Sequence, residues 1–251
     1  MNDDTTQHKT RHAGEANGLV GRTVLVTGGN RGLGRHLVHE ALARGAAQVV
    51  TAGRRPPDGK NARTSHIHLD LADHATLGEG LATVVTEIDV LINNAGISLP
   101  DRLGASLLRE HLLVNLEGPM RVTETLLPGL RSRHGAVVNV LSLAALSPIP
   151  GLPGYSMAKA AAHAWTQSLR AEERGRVHVH AVLAGPIDTD MIRDLPIPKS
   201  DPSGVAAAIF DGVLAGHEDI FPDAMSTNFE AGWQHGPAKS LEQQNAALLA
   251  S

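Results

Sequence analysis

The stretch RTVLVTGGNRGLGRHLVHEALARG (22–45) decides the fold of this chain. It opens with RTVLVT (22–27), a short β-branched run without helical periodicity, which predicts a strand. The glycine-rich GGNRGLG (28–34) follows at once, and HLVHEALARG (36–45) has the apolar spacing of a helix. Strand, glycine loop and helix in this order predict the first unit of a parallel α/β sheet.

The glycines of this loop suit a ligand that carries phosphate groups. Gly28, Gly32 and Gly34 let the backbone turn tightly and approach a pyrophosphate. The phosphate charge would then meet the N–H groups and the dipole at the N-terminus of the following helix. The spacing is T-G-x-x-x-G-x-G, which differs from the G-x-G-x-x-G of other dinucleotide folds. Taken alone, the glycines also fit an ordinary loop between a strand and a helix.

Strand and helix patterns alternate along the rest of the chain, and no linker divides it. Further strands are predicted at 47–52, 65–69, 88–93, 136–141, 177–183 and, as a short last strand, 220–223. Helical spacing appears at 72–85, around Asn115 and on to about Arg133, around Tyr155, and at 202–216. We therefore predict an α/β fold, a doubly wound, mostly parallel, Rossmann-like sheet with helices on both faces.

The two ends of the chain differ from its middle. Residues 1–18 are polar and lack a hydrophobic period, which predicts a disordered leader ahead of a single domain at 19–251. Residues 224–251 read as a weakly amphipathic tail.

Composition and charge argue against several classes of protein. The net charge of −4 comes from 22 basic and 26 acidic residues spread along the chain, so no basic stripe is available for nucleic acid. The absence of cysteine excludes disulfides and thiolate chemistry, and no apolar run approaches the roughly 18 residues that span a bilayer. We expect a cytoplasmic protein without membrane or nucleic-acid partners. No histidine pattern indicates a metal site.

The end of the second predicted strand indicates which nucleotide is bound. An NAD-binding fold usually carries an acid about 20 residues after the glycine loop, where it holds the ribose 2′-hydroxyl. Here Gly53 occupies that place and Arg54 follows. A guanidinium offers two parallel hydrogen bonds to a phosphate, so we predict that Arg54, with help from Arg31, binds the 2′-phosphate of NADP(H). A solvated turn over RRPPDG (54–59) is the alternative.

The only tyrosine of the chain, Tyr155, stands four residues before Lys159. That spacing puts both side chains on one helix face. A nearby ammonium would lower the pKa of the phenol from its usual value of about 10, so the pair could exchange protons near neutral pH. Such a pair by itself is most often a surface accident. Ser142, however, follows the fifth predicted strand, at the sheet edge where ligands bind in open parallel sheets.

Together the motifs resemble those of the single-domain short-chain dehydrogenase/reductase family. TGGNRGLG (27–34), NNAG (93–96), Ser142 and YSMAK (155–159) occur in the order typical of that family, over roughly residues 20–195. The resemblance implies an NADPH-dependent oxidoreductase. Such an enzyme would reduce a ketone, aldehyde or quinone to an alcohol by hydride transfer, or run the reverse reaction.

Two other functions are known on this kind of nucleotide fold. An epimerase or dehydratase usually needs a larger C-terminal substrate domain than the residues after Leu195 supply. A catalytically silent, dinucleotide-sensing regulator has no reason to retain Ser142, Tyr155 and Lys159 together. The reductase is therefore the leading hypothesis.

The resemblance also implies a role for each site residue. Tyr155 would be the general acid or base, and Ser142 would hold the substrate oxygen. Lys159 would lower the tyrosine pKa and bind the nicotinamide ribose, while Asn115 would position a water that links Lys159 to solvent. Asp70 and Asn93 would serve the adenosine half of the cofactor. The cofactor-binding set is Gly28, Asn30, Arg31, Gly32, Leu33, Gly34, Arg54, Asp70, Leu71, Asn93, Ala95, Gly96, Tyr155, Lys159, Ile187 and Thr189.

Assembly and substrate are less closely specified by the sequence. The small side chains of AKAAAHA (158–164) predict a homo-oligomer, a tetramer or dimer, with packing against the sheet of the same chain as the alternative. A mainly apolar pocket for a small carbonyl or alcohol is predicted from Leu99, Leu143, Leu146, Ile149, Leu152, Met191 and Leu195. Leu141 stands where many relatives have serine and Ala184 where they have proline. Because of these departures, the resemblance does not specify how the C-terminal side of the substrate pocket is formed.

Overall fold

The computed structural model describes residues 18–59, 61–99 and 107–250, with the backbone alone at 74–76 and 250. The leader predicted for residues 1–18 thus lies outside the described residues, except for Gly18. The strands are β1 (Thr23–Thr27), β2 (Gln48–Gly53), β3 (Thr64–His68), β4 (Val90–Asn93), β5 (Ala136–Val140), β6 (His178–Val182) and β7 (Asp219–Ile220). They form one parallel sheet in the order β3-β2-β1-β4-β5-β6-β7, which confirms the predicted doubly wound fold.

Helices lie between most of these strands and after β7. They are α1 (Gly32–Ala43), α2 (His74–Ala82), α3 (Leu108–Leu112), α4 (Gly118–Ser132), α5 (Pro153–Glu172), α6 (Pro202–Leu214), α7 (Thr227–Gln234) and α8 (Pro237–Ala247). A π-helical turn at Leu113–Glu117 joins α3 to α4. In the part of the chain that the structure describes, no helix is long and apolar enough to cross a membrane.

The order of the strands reverses at β1, which pairs with β2 on one side and with β4 on the other. Side chains of α1 and α6 form one apolar core against the sheet, and side chains of α2, α4 and α5 form a second. In doubly wound sheets, ligands bind in the crevice outside the carboxyl ends of the strands at such a reversal. The glycine loop after β1 and the segment after β4 both lie at that edge.

The observed elements differ from the predicted ones in two places. The first helix begins at Gly32 instead of residue 36, because the last glycines of the loop already form its first turn. Residues 224–251, predicted as a weakly amphipathic tail, contain α7 and α8. Lys239 of α8 is only 2% exposed, so part of this tail is buried against the rest of the protein.

Candidate active site

The glycine loop is tied to the segment after β4 by one threonine. The Oγ1 atom of Thr27 accepts hydrogen bonds from the backbone N–H groups of Asn94 and Ala95, both at 3.0 Å. The side-chain amide of Asn94 donates to the Thr27 carbonyl oxygen, also at 3.0 Å. These bonds hold the ends of two neighbouring strands together, so the predicted site residue Ala95 is fixed beside the glycine loop.

The glycine loop forms a tight backbone cradle at the N-terminus of α1. Gly28 and Gly32 have φ angles of +68° and +51°, which residues other than glycine rarely adopt. A Cβ atom at Gly34 would collide with the Gly28 carbonyl oxygen. Arg31 is the N-cap of α1, and its side chain makes no capping hydrogen bond. The first N–H groups of α1 are therefore not capped by that side chain, as expected at an anion-binding helix N-terminus.

The loop after β6 approaches this cradle from the other side. The methyl carbon of Thr189 lies 3.4 Å from the position of a Cβ atom on Gly32. Arg31 Nη1 pairs with Asp190 Oδ2 at 3.7 Å, and both side chains are at least half exposed. A cavity of about 430 Å³ lies here, lined by Arg31, Gly32, Arg35, His36, Asp188, Thr189, Asp190, Asp201 and Pro202. Thr189 is thus brought close to the glycine loop, whereas Arg31 faces a carboxylate.

The predicted adenosine end of the site lies around β2 and β3. Arg54 follows β2, is exposed, and forms no ion pair or hydrogen bond within the described ranges. Asp70 is partly buried, and its Oδ1 accepts a hydrogen bond from Ala72 N at 3.0 Å. The Arg54 side chain is therefore exposed at the end of β2, beside the predicted adenosine end of the site.

Four predicted cofactor residues are partly or fully buried. Leu33 and Leu71 are 8% and 6% exposed and belong to the two apolar cores. Ile187 packs against the first core and forms an isolated bridge with Ser200, and Asn30 is half-buried at the loop. Leu33 and Leu71 therefore support the site through packing.

Asn93 lies inside the protein, although a role at the adenosine half was predicted for it. Its side-chain amide nitrogen donates to Thr123 Oγ1 at 3.0 Å and to Asn139 Oδ1 at 2.8 Å. Asn139 donates in turn to Thr166 Oγ1 at 2.9 Å. Asn93 is 4% exposed, and its Oδ1 has no hydrogen-bond partner among the described residues. The side chain thus crosslinks β4, β5 and α4 beneath the site.

Asn115 occupies the π-helical turn between α3 and α4, an irregularity frequent at functional sites. Its Oδ1 accepts from Ile97 N and its Nδ2 donates to Ile97 O, both at 2.9 Å. A Cβ atom on Gly96 would lie 2.8 Å from Asn115 Oδ1 and 3.9 Å from Lys159 Nζ. Glycine is therefore required where the NNAG segment passes between these two side chains.

Lys159 is buried and lacks a carboxylate partner in the described part of the chain. It is 7% exposed, and its Nζ donates to the Val140 carbonyl oxygen at 2.8 Å. Burial lowers its pKa to about 8. The same Nζ lies 5.8 Å from the centre of the Tyr155 ring, so the predicted pair does share one side of α5. A cavity of about 10 Å³, the size of one water molecule, touches Lys159, Asn115 and Asn93.

The environment of Tyr155 corrects one expectation drawn from the sequence. Burial raises the pKa of the phenol, and a hydrogen bond with Ser142 opposes that rise without cancelling it. The ammonium of Lys159 was expected to lower this pKa. Lys159 Nζ donates to the Val140 carbonyl oxygen and lies 5.8 Å from the centre of the Tyr155 ring, and desolvation of the phenol is the largest influence on its pKa. Ser142 also accepts from Ala144 N at 3.1 Å, which orients its hydroxyl group.

Sequence reasoning missed three residues of this site. Thr27 and Asn94 lock the glycine loop to β4, and the fully buried His111 contacts Tyr155 with ring centres 6.5 Å apart. A threonine directly before the glycines and a second asparagine in NNAG were visible signals. His111 stands four residues before Asn115, on the same helical side, which could have drawn attention to it.

The chain is similar in sequence and fold to known proteins. Residues 22–199 match the family described as short chain dehydrogenase. The 3-oxoacyl-[acyl-carrier-protein] reductase FabG of Escherichia coli is 29% identical over 80% of this chain and 86% of its own length. L-fucose dehydrogenase of Mus musculus is 33% identical over 78% and 75% of the two chains. A short-chain dehydrogenase from Burkholderia cenocepacia, crystallised in complex with NADP, superposes with a TM-score of 0.82 at 30% identity, covering 90% of this chain and 98% of its own.

The chain therefore belongs to the short-chain dehydrogenase family, as the motifs indicated. Family membership and fold together support an oxidoreductase activity.

Proposed function

We propose that this protein is an NADPH-dependent oxidoreductase that interconverts a carbonyl compound and an alcohol, with Tyr155 as general acid or base. The observation that carries the proposal is the cluster of Ser142, Tyr155 and Lys159 beside Asn115, at the edge of the sheet where the glycine loop lies. Each member has a chemical task in moving a proton to or from a carbonyl oxygen.

The chain's own residues fit the cofactor. Gly28, Gly32 and Gly34 form a backbone cradle at the N-terminus of α1, which would hold the pyrophosphate. Arg54 would bind the 2′-phosphate, and Thr189, with Ile187, would hold the nicotinamide amide. NADPH supplies the hydride when bound. The relative from Burkholderia cenocepacia, which binds NADP, supports this assignment.

Side chains of the protein would transfer the proton that the reaction needs. Because burial raises its pKa, Tyr155 holds its proton at neutral pH and is suited to donate it to a carbonyl oxygen. Ser142 would hold that oxygen by a hydrogen bond. Lys159, with a pKa of about 8, can gain and lose a proton near neutral pH, and Asn115 would position a water between Lys159 and solvent.

The proposed substrate class is supported by exposed apolar side chains among those predicted to form the pocket. Ile149, Met191 and Leu195 are each more than 40% exposed, in loops next to α5 or after β6. An apolar rim of this kind suits a ketone, aldehyde or quinone with a mainly apolar body. We also propose a cytoplasmic location, in keeping with the lack of cysteine, and a single domain over residues 19–251.

The proposal is tested by NADPH oxidation with 2-octanone, 4-nitrobenzaldehyde and menadione. At least one should be reduced by the parent protein, and Tyr155→Phe should slow that reaction at least about 100-fold, since a general acid contributes that much or more. NADPH affinity, followed by cofactor fluorescence, should stay within about threefold. A Tyr155→Phe variant that reduces the same compound at the parent rate would place the proton donor elsewhere.

Cofactor preference is tested by titrating NADPH and NADH separately. Arg54→Ala should weaken NADPH binding at least about tenfold, because a hydrogen bond to a charged group contributes about 1.5–3 kcal/mol. NADH has no 2′-phosphate, so its affinity should not change. Arg55→Ala, at a neighbouring arginine that is also exposed, is the matched control. Equal affinity of the parent for both cofactors would refute the preference.

We propose a homo-oligomer, a dimer or tetramer, that pairs the outer side of α5. Ala160 and Ala164 are exposed there, one turn apart, and would allow a second helix to approach closely. Ala158 and Ala162 instead face the protein's own core. Light scattering at micromolar concentration tests the assembly, and a monomer mass would refute it.

A further inference from the structure

His111 is a fully buried histidine that the proposed proton chemistry does not use. Its Nε2 accepts a hydrogen bond from the Leu99 backbone N–H at 3.1 Å. Its Nδ1 lies 2.9 Å from the Leu107 carbonyl oxygen, which can only accept, so Nδ1 carries the hydrogen. These partners assign a neutral ring in one tautomer. Since both ring nitrogens are engaged with backbone, His111 has no free group with which to exchange a proton with a substrate.

His111 and Asn115 act on the same stretch of chain. Asn115 makes two hydrogen bonds with the backbone of Ile97, and His111 makes one with Leu99. Ile97 and Leu99 are two residues apart, which in extended backbone puts their N–H groups on the same side. His111 and Asn115 are four residues apart, one helical turn. Three side-chain hydrogen bonds therefore fasten residues 97–99 along α3 and the π-helical turn.

The ring of His111 also supports Tyr155. The two ring centres are 6.5 Å apart and the planes meet at 72°, an edge-to-face arrangement within the range of favourable aromatic pairs. Tyr155 thus has the His111 ring and the Lys159 ammonium as neighbours. One buried side chain consequently contacts both the catalytic tyrosine and the segment that follows NNAG.

We infer that His111 is a positioning residue that fixes residues 97–99 as one wall of the substrate pocket and holds the ring of Tyr155 in place. This inference rests on the proposed function. The two halves of the role depend on different features of the side chain. The wall needs the acceptor at Nε2, whereas Tyr155 needs the aromatic ring.

Three variants separate these features. His111→Gln can retain an acceptor for Leu99 N–H but has no ring, His111→Phe retains a ring without an acceptor, and His111→Leu has neither. With the carbonyl compound that the parent reduces fastest, His111→Phe should raise KM about tenfold, because residues 97–99 lose the hydrogen bond that holds them in position for the substrate, while kcat stays within about threefold. His111→Gln should keep KM and lower kcat about three- to tenfold, the effect of a lost aromatic pair. His111→Leu should show both changes.

A purely structural role predicts a different result. Partial unfolding lowers kcat in proportion to the folded fraction and leaves KM unchanged in all three variants, and that outcome would overturn the inference. NADPH affinity should stay within about threefold of the parent, because the hydrogen bonds of His111 are with Leu99 and Leu107 and not with the glycine loop. His39→Gln, on the exposed side of α1, is the control and should change neither constant.

Amide hydrogen exchange at Leu99 tests the wall without any substrate. Exchange should be at least about tenfold faster in His111→Phe and His111→Leu than in the parent, and close to the parent rate in His111→Gln. Equal exchange in all four proteins would refute the role of His111 whatever their activities. If exchange follows the expected order but the parent reduces none of the three carbonyl compounds, the proposed function fails, while the fastening of residues 97–99 by His111 stands.

Discussion

Among the residues that the structure describes, two lysines are buried, and they differ in whether carboxylates surround them. Lys159 on α5 is 7% exposed and bonds to a backbone carbonyl oxygen. Lys239 on α8 is 2% exposed and lies 2.7 Å from Asp219, 2.8 Å from Glu218 and 3.1 Å from Glu242. Burial lowers the pKa of Lys159 to about 8. Burial also acts to lower the pKa of Lys239, but the hydrogen bonds with Asp219 and Glu218 outweigh it, and that pKa is raised.

The opposite pKa shifts indicate different roles: Lys159 is suited to proton transfer, and Lys239 is suited to stabilising the fold. A buried ammonium without a carboxylate is destabilised in its charged form, so it gains and loses protons near neutral pH. A buried ammonium among carboxylates keeps its charge, and removal of either partner leaves an uncompensated ion. We therefore expect Lys159 to serve activity at some expense in stability, and Lys239 to serve stability alone.

Helix α5 carries Lys159, and through Arg170 it also contacts the acidic partners of Lys239. Near its N-terminus this helix carries Lys159, and three turns later it carries Arg170, which pairs with Asp219 at 2.8 Å and with Glu242. The indole N–H of Trp233 donates to Asp219 Oδ2 at 2.8 Å. These contacts and those of Lys239 attach the C-terminal helices to the far end of the catalytic helix.

The largest expected effect is on activity in Lys159→Met. Reduction of a carbonyl compound should fall at least about 100-fold, because Tyr155 loses the neighbouring lysine that would exchange a proton with solvent. The free energy of unfolding should stay within about 1 kcal/mol of the parent or rise, since an apolar side chain replaces an unpaired buried charge. Activity assays and denaturant unfolding measure the two quantities. A variant that loses both activity and stability would contradict the division between the lysines.

Lys239→Met should show the reverse pattern. Removing one partner of a buried ion pair costs about 3–5 kcal/mol, and Asp219, with 0% exposure, would keep its charge with fewer partners. The kcat of the folded variant at 25 °C should stay within about threefold of the parent. The double variant with Asp219→Asn should lose less than the sum of the single losses, which a double-mutant cycle measures. A loss below about 1 kcal/mol in Lys239→Met would refute the structural role.

The predictable parts of this site depended on local spacing. The glycine loop and the Tyr155–Lys159 pair are each contained in a short stretch of sequence. The spacing of strand, loop and helix residues was therefore enough to place them correctly at the carboxyl edge of the sheet. Residues whose role depends on distant partners could not be placed in this way. In the sequence, Lys239 is one charge on a weakly amphipathic tail, and its burial depends on Asp219, twenty residues earlier and in β7.

Interactions across the sheet were likewise beyond sequence reasoning. In the sequence, the position of Asn93 within NNAG predicts a ligand-binding residue. Its hydrogen-bond partners Thr123 and Asn139 belong to a helix and a strand that lie beside β4 only in the folded protein. The raised pKa of Tyr155 is of the same kind. The spacing placed Lys159 near Tyr155, whereas burial, which dominates, is a property of the packed site.

The smallest expected effect is a pH dependence of stability that distinguishes the lysines. The pKa of Lys159 is about 8 in the folded protein and 10.5 in the unfolded chain. Between these values the unfolded chain binds more protons, so the contribution of Lys159 to the free energy of unfolding rises with pH. From pH 7.5 to 9.5 the gain is about 2 kcal/mol at 1.36 kcal/mol per unit, with the titration incomplete at both ends.

Lys239 has the opposite sign of shift. Its contribution is present in full below the unfolded value of 10.5 and is lost only as pH rises through its higher folded-state pKa, so it stays constant over the same interval. Denaturant unfolding of the parent and both methionine variants at pH 7.5 and 9.5 tests this. The difference in unfolding free energy between the parent and Lys159→Met should move by about 2 kcal/mol in favour of the parent, and that for Lys239→Met by less than about 0.5 kcal/mol. A flat difference for Lys159→Met would mean that its ammonium keeps an ordinary pKa in the folded protein. The contrast between the two buried lysines would then have no physical basis.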